Sequence, residues 1–258
     1  MRTLTVTLPA SLPTASTAIV AVLSGDGSAV SRHVEVPLTL LPDTGDAEVV
    51  AVVPLGKLSW HAVELPRGTL TKKMFQESNG ARLRTILDGL LEDRVLDDTS
   101  QLHFALAPGA SANAPLWIAA CDRAWLQAWL GALEQAGRSP TRIAPELAPT
   151  MAPGEKGDES LHFVGTTDHP QIIYQGSQGV SILPYGAATL AMVVADNAPS
   201  QVWAEPPVAE LAQQHFEGRV ALQTAAQRYL AAAQAPWDLA QFDFSASRGA
   251  RSRKRLSS

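Results

Sequence analysis

Three short strand-like runs, Leu161 to Gly165, Gln171 to Gln175 and Gly179 to Leu183, follow one another with only turn-like segments between them. Runs this close leave no room for a helix, so they read as an antiparallel meander. The pattern then changes. Tyr185 to about Asp196 suits a helix behind Pro184, and Gln201 to Ala204 a strand. Pro206-Pro207 opens a helix to about His215, Arg219 to Gln223 is a strand, and Thr224 N-caps a helix through Gln234. Strands that alternate with helices call for crossover connections and parallel pairing. The order β-β-β-α-β-α-β-α therefore predicts one mixed sheet for the second half.

The first half follows a similar but looser order. Leu4 to Leu8, Ala18 to Leu23 and His33 to Leu41 read as strands, with Gly25-Asp26-Gly27 as a turn. Glu48 to Leu55 is continuously apolar, which suits a strand buried on both faces. Trp60 to Leu65 alternates and stops at Pro66. From Arg82 onward, Leu83, Ile86, Leu87, Leu90 and Leu91 recur at i, i+3, i+4, i+7 and i+8, one face of an amphipathic helix. Arg82, Arg84, Asp88, Glu92 and Asp93 lie on the other face. Leu102 to Leu106 and Leu116 to Cys121 are strands, separated by a polar loop from Pro108 to Pro115. Asp122 is a good N-cap for a helix from Arg123 to about Ala136, with Gly137 as its terminating residue. Trp125, Leu126, Trp129, Leu130 and Leu133 form its apolar stripe, which assigns both tryptophans to the core. Thr141 to Ala144 is a short strand ending at Pro145.

The stretch from Pro145 to Ser160 holds three prolines counting Pro145, two glycines and the charged run Glu155-Lys156-Gly157-Asp158-Glu159, with no periodicity. That stretch is the expected boundary, giving a first lobe at 1–148, a second at 149–247 and a tail at 248–258. A three-strand meander followed by alternating strands and helices is the order of the ribonuclease-H-like domain of the actin superfamily. Two such lobes predict an α/β, actin-like fold with mixed sheets.

An actin-like fold raises the question of ATP. Backbone N–H groups reach a phosphate most closely through glycine, and an adjacent Asp organises the metal. The first hairpin, Pro9-Ala10-Ser11-Leu12-Pro13-Thr14-Ala15-Ser16-Thr17, has neither residue, and its prolines remove donors. The second, Gly165-Thr166-Thr167-Asp168, has one glycine and no preceding Asp. The expectation is a fold without nucleotide-binding loops, no cofactor and no catalytic residue. Cys121, the single cysteine, sits at a strand end before a helix, where thiols can be activated. Asp122 beside it opposes a thiolate, so a structural role is expected. The six histidines show no metal-ligand spacing, and no metal site is expected. The acidic set Glu92, Asp93, Asp97 and Asp98 reads first as a solvated helix end, then as a docking patch for a basic partner.

At 258 residues the chain can hold one large or two medium domains. No run reaches the ~20 apolar residues of a membrane span, and the N-terminus does not read as a secretory leader. Of the 20 basic residues, Arg248, Arg251, Arg253, Lys254 and Arg255 crowd the last eleven positions, leaving 15 against 25 acidic groups in residues 1–247. Such an acidic body is a poor nucleic-acid binder. The tail is either a solvated end or the basic flank found just cytoplasmic of a membrane helix.

Four motifs in order carry a resemblance. Leu90-Leu91-Glu92-Asp93 precedes an acidic turn and the strand Leu102-His103-Phe104. Ala119-Ala120-Cys121-Asp122-Arg123-Ala124-Trp125-Leu126 ends a strand and starts a helix. Ala136-Gly137 is followed by Ile143-Ala144-Pro145-Glu146. Trp237-Asp238-Leu239-Ala240-Gln241-Phe242-Asp243-Phe244 closes the set. Over roughly residues 80 to 245 this resembles the cytoplasmic domain of the type II secretion system protein L family. That family has a Leu-Glu-Asp helix end with a His-Phe strand, then Val-Asp-Arg-x-Trp-Leu, a Gly turn with Pro-Glu or Pro-Asp, and Asn-Leu-Leu-Gln-Gly-x-Phe before the membrane. The last motif departs most, with Asp238, Ala240, Phe242 and Asp243 where Asn, Leu, Gly and a variable residue are usual. The resemblance implies a non-enzymatic scaffold on the cytoplasmic side of the bacterial inner membrane. It implies recruitment of the secretion ATPase (protein E) through that enzyme's N-terminal domain, pairing with protein M, and contact with the inner-membrane platform protein F. It also implies a membrane span following the basic tail, and it allows a homodimer. An ATP-binding actin-like pilus-assembly adaptor is the alternative reading.

Overall fold

Strands form where the sequence alternates or runs continuously apolar, and helices where the apolar period lengthens. The computed structural model describes residues 1–43, 45–69, 77–111, 114–194 and 199–245, with side chains from Gly80 in the helix that starts at Glu77. Its contacts divide the chain into two units. The first comprises Met1–Glu146 and Tyr229–Ser258, the second Leu147–Arg228.

In the first unit, β1 (Thr3–Thr7), β2 (Ala18–Ser24) and β3 (Arg32–Pro37) form the meander. β1 pairs antiparallel with β2 and parallel with β4 (Glu48–Val53). The chain then builds a second sheet before returning. β5 (Ser59–Glu64), the helix α1 (Glu77–Leu91), β6 (Leu102–Leu106) and β7 (Pro115–Asp122) follow, with the strands ordered β5-β7-β6 and antiparallel. Helix α2 (Arg123–Gln135) leads to β8 (Arg142–Pro145), which pairs parallel with β4. The main sheet reads β3-β2-β1-β4-β8. β4, flanked by parallel strands on both sides, has five of its six residues buried, as its continuous apolar run predicts.

The α1 periodicity has the expected outcome. Leu83, Leu87 and Leu91 are buried against Val63, Leu65, Phe104, Leu116 and Ile118, and Ile86 and Leu90 are half-buried on the same cluster. Arg84 departs from the expected solvent face. It pairs with Asp88 at 3.0 Å, donates to the Leu102 carbonyl at 2.8 Å, and lies 4.4 Å from the Phe104 ring centroid. Its aliphatic stem covers apolar surface while its head finds polar partners.

The second unit repeats the plan without an insertion. β9 (Ser160–Gly165), β10 (Pro170–Gly176) and β11 (Gly179–Pro184) form its meander, followed by α3 (Ala187–Val194). β12 (Gln201–Ala204), α4 (Ala209–Gln213), β13 (Val220–Leu222) and the start of α5 (Ala225–Gln234), whose remainder from Tyr229 belongs to the first unit, complete it. The sheet reads β11-β10-β9-β12-β13, antiparallel through the meander and parallel beyond β9. Both five-stranded sheets thus have the ribonuclease-H-like order, and the fold is α/β and actin-like.

Three boundaries differ from expectation. The strand expected to reach Leu41 stops at Pro37, and Leu38–Leu40 wind into a 3₁₀ turn closed by Leu41 N–H to the Leu38 carbonyl at 3.3 Å. The helix expected from Pro206 to His215 splits into a 3₁₀ turn, Pro206–Val208, and α4, because Val208 leaves the helical region at φ −117° and ψ 9°. The second lobe, expected at 149–247, gives up its C-terminal part. Arg142 donates to the carbonyls of Ala233, Ala235 and Trp237 at 2.7, 2.6 and 3.2 Å, and Leu239 N–H donates to the Ile143 carbonyl at 2.7 Å. These bonds join the stretch from Tyr229 to the first unit. The tail residues Arg248, Arg251, Arg253, Lys254 and Arg255 lie outside the described residues, as does Asp196.

Candidate functional site

The hairpin after the first strand of each five-stranded sheet is where an actin-like fold would hold phosphate. In the first unit, Pro9 to Thr17 connect β1 and β2. Trp125 and Trp129 lie one turn apart on α2, 2% and 0% exposed. Asp122 starts that helix by accepting the Trp125 N–H at 2.9 Å, and Gly137, at φ 72°, follows its end. The two indole N–H groups donate to the carbonyls of Pro9 at 3.2 Å and Ser11 at 2.8 Å. Thr14 N–H is taken by the Thr17 hydroxyl at 3.0 Å. Tryptophan anchors and a local hydroxyl fix this hairpin, which offers no glycine for close approach. Its residues do not fit a nucleotide phosphate.

The second hairpin is closed differently. Gly165 has φ 96°, and a Cβ there would lie 2.6 Å from the His169 carbonyl oxygen, so the tight turn itself requires glycine. Gly165 N–H donates to Glu205 Oε2 at 2.9 Å, while Glu205 Oε1 accepts from Arg228 Nη1 at 2.8 Å. The side chains of Arg228 and Glu205 are only 5% and 13% exposed. A phosphate approaching this N–H would meet a carboxylate. These residues do not fit one either, which argues against the ATP-binding alternative.

The candidate nucleophile and two of the six histidines, His103 and His162, are built into the core. Cys121 is buried, and burial together with Asp122 pushes its thiol up to about 12. His103 Nε2–H donates to the Leu239 carbonyl at 2.7 Å, which places the ring proton on Nε2 because a carbonyl only accepts. Burial lowers its pKa to about 4, helped by Arg84 and Arg123 and opposed by that hydrogen bond. His162 contacts Ser160 and Gln223 and is likewise lowered to about 4, by burial and then Arg228. The two Leu-His-Phe triplets occupy unrelated places: β6 belongs to the inserted sheet, and β9 is the central strand of the second unit. Among the described residues, no group of three or more His, Cys, Asp and Glu could hold a metal ion.

Glu92, Asp93, Asp97 and Asp98 are all exposed beyond the end of α1. Asp98 has a structural use as well. Its carboxylate caps the 3₁₀ turn Thr99–Gln101 by accepting Ser100 N–H at 2.8 Å, which holds its pKa below the usual carboxylate value. Val95 packs on the α1 cluster, and Arg94 donates to the Ala62 carbonyl, so the acidic turn is pinned at its middle. Leu96, between those anchors and the acids, is fully exposed. The sequence reading singled out none of Glu205, Arg228 and Leu96. Signals were present for two of them: Arg228 is the only charged residue of α5, and Glu205 follows an apolar strand directly before two prolines.

A family model described as type II secretion system (T2SS), protein L, matches residues 21–151. The type II secretion system protein L of Pseudomonas aeruginosa is 39% identical over 73 residues, which cover 28% of this chain and 18% of that protein. The chain therefore spans well under two thirds of the curated relative it matches. The structure is similar to the cytoplasmic domain of EpsL, an inner membrane component of the type II secretion system of Vibrio cholerae, with a TM-score of 0.63 and 20% identity. That similarity covers 95% of this chain and 100% of the other, and at this identity it speaks for the fold. A chain of the PilM–PilN type IV pilus biogenesis complex superposes with a TM-score of 0.49 and 11% identity over 88% of this chain and 90% of its own. Among the described residues, no helix is long and apolar enough to cross a membrane.

Proposed function

Because the chain belongs to the protein L family of the type II secretion system, we propose that it is a scaffold that recruits the secretion ATPase (protein E) to the inner-membrane platform for protein export. It does so on the cytoplasmic side of the bacterial inner membrane, through the ATPase's N-terminal domain, without turnover of its own. Protein M and platform protein F are its further partners, and the basic tail from Arg248 flanks a membrane span. The observation that carries this reading is that both hairpins are occupied by the chain's own groups while the actin-like sheets remain intact. A fold kept without its ligand site is suited to presenting surfaces.

The proposed docking patch is the acidic end of α1, with Glu92, Asp93, Asp97 and Asp98 around the exposed Leu96. An exposed apolar side chain in a run of acidic residues suits a partner that offers basic groups beside a small pocket. The test is retention of the ATPase N-terminal domain on the immobilised chain at micromolar concentration. Glu92→Lys with Asp93→Lys should weaken retention most at low salt, and Leu96→Ala should weaken it at all salts. No retention by the unaltered chain sinks the reading. Measurable binding or hydrolysis of ATP with magnesium would favour the pilus-adaptor alternative instead.

A further inference from the structure

The second hairpin contains groups suited to an oxyanion and also contains an oxyanion. We propose that Glu205 is a built-in ligand. Its carboxylate fills a slot formed by Gly165 N–H and the Arg228 guanidinium, and so closes the β9–β10 hairpin to external phosphates and carboxylates. The hairpin is shut by occupancy rather than by loss of donors.

The geometry divides the carboxylate between two donors, with Oε2 on the Gly165 N–H at 2.9 Å and Oε1 on Arg228 Nη1 at 2.8 Å. A backbone N–H beside a guanidinium is the pair that proteins use to hold phosphate or carboxylate from solution. Arg228 cannot shed its charge, and at 5% exposure it requires an opposite charge nearby. The slot thus suits a negative occupant. The chain supplies one from the residue directly after β12. Glu205 N–H donates to the Phe163 carbonyl at 2.9 Å, and Pro206 follows, so its backbone is fixed from both sides. A ligand tethered this closely competes at an effective concentration of roughly millimolar or above. A free anion must also evict a buried carboxylate.

The first hairpin has no equivalent. The residue after β4, in the sheet position of β12, is Pro54, and the hairpin is anchored by indoles instead. Occupancy by a carboxylate is thus a particular solution in the second unit, independent of which partner the chain binds.

The test is chemical rescue of Glu205→Ala, read as the thermal midpoint of the whole chain in formate, in phosphate and in chloride of matched ionic strength. The midpoint should fall in chloride, and formate should restore about half or more of the loss in a saturable way. Rescue by formate alone defines a carboxylate-sized slot, and rescue by phosphate as well defines one wide enough for a phosphoryl group. The unaltered chain and the double variant Glu205→Ala with Arg228→Met should not respond beyond chloride. If Glu205→Ala does not fold in chloride, the same anions are supplied during refolding, and recovery in them supports the slot. No rescue by either anion in either format overturns the proposal, as does an equal response from the unaltered chain.

Discussion

The two five-stranded sheets share strand order and pairing directions, β3-β2-β1-β4-β8 in one unit and β11-β10-β9-β12-β13 in the other. They differ in what the chain does after the fourth strand. In the second unit it proceeds through α4 directly to β13. In the first it detours through β5, α1, β6 and β7 before α2 and β8. The detour brings its own sheet and its own apolar cluster around Leu87 and Phe104. After the detour comes α2, whose tryptophans anchor the first hairpin. In the second unit the helix at that point, α4, carries no tryptophan, and the hairpin is anchored by a buried ion pair instead. One sheet topology therefore tolerates two chemically unrelated closures of the same loop.

The largest effect that can break this comparison is expected at Leu87. It is fully buried, and aspartate there would leave a charge in an apolar cluster with no partner. Leu87→Asp should cost more than about 4 kcal/mol and unfold the first unit. Tryptophan fluorescence reads that unit, because Trp60, Trp117, Trp125, Trp129 and Trp237 all lie in it and only Trp203 lies in the other. A native emission spectrum and an unchanged urea midpoint would mean that α1 is an appendage and not part of the unit's core.

The meander of the second unit was legible because its strands were short, bounded by Gly or Pro, and paired with the next strand in sequence. The first unit was legible in its elements but not in its plan, because pairing β4 with β8 spans nearly ninety intervening residues that themselves form a sheet. Periodicity placed Leu83, Leu87 and Leu91 in the core, since burial of a helix face is a local property. It could not place Arg84, whose hydrogen bond to Leu102 joins residues eighteen apart. The same limit applies to Glu205 and Arg228. Each is unremarkable alone, and only the sheet brings both to Gly165. The return of Tyr229 onward to the first unit was hidden for the same reason, as it depends on Arg142 reaching three carbonyls more than ninety positions away.

A smaller effect compares the units through their buried histidines. His103 and His162 are both lowered to about 4, against an unfolded value near 6.5. Between those values the unfolded chain binds more protons than the folded one, so stability rises with pH across the window. Acidification from about 6.5 to 4 should therefore cost up to about 3 kcal/mol per histidine. His103→Gln should flatten the pH dependence seen by tryptophan fluorescence, and His162→Gln the remaining part seen by backbone circular dichroism. Unchanged slopes in both variants would assign the acid sensitivity to carboxylates instead.

The smallest effect is expected at the acidic end of α1, and there a null result on stability is the informative one. Glu92 and Asp93 are exposed, and neither caps a turn in the way Asp98 does. Reversing both to lysine should change stability by no more than about 0.5 kcal/mol. Asp98→Ala should lower the denaturant midpoint more than that reversal does, because it leaves the Ser100 N–H without its cap. Denaturant midpoints of the two variants, measured side by side, separate these roles. If the Glu92 and Asp93 reversal costs as much as the loss of the cap, the acids support the fold. If it costs nothing while the ATPase domain is no longer retained, their charge serves the partner, and the inserted sheet presents a surface for which the second unit has no counterpart.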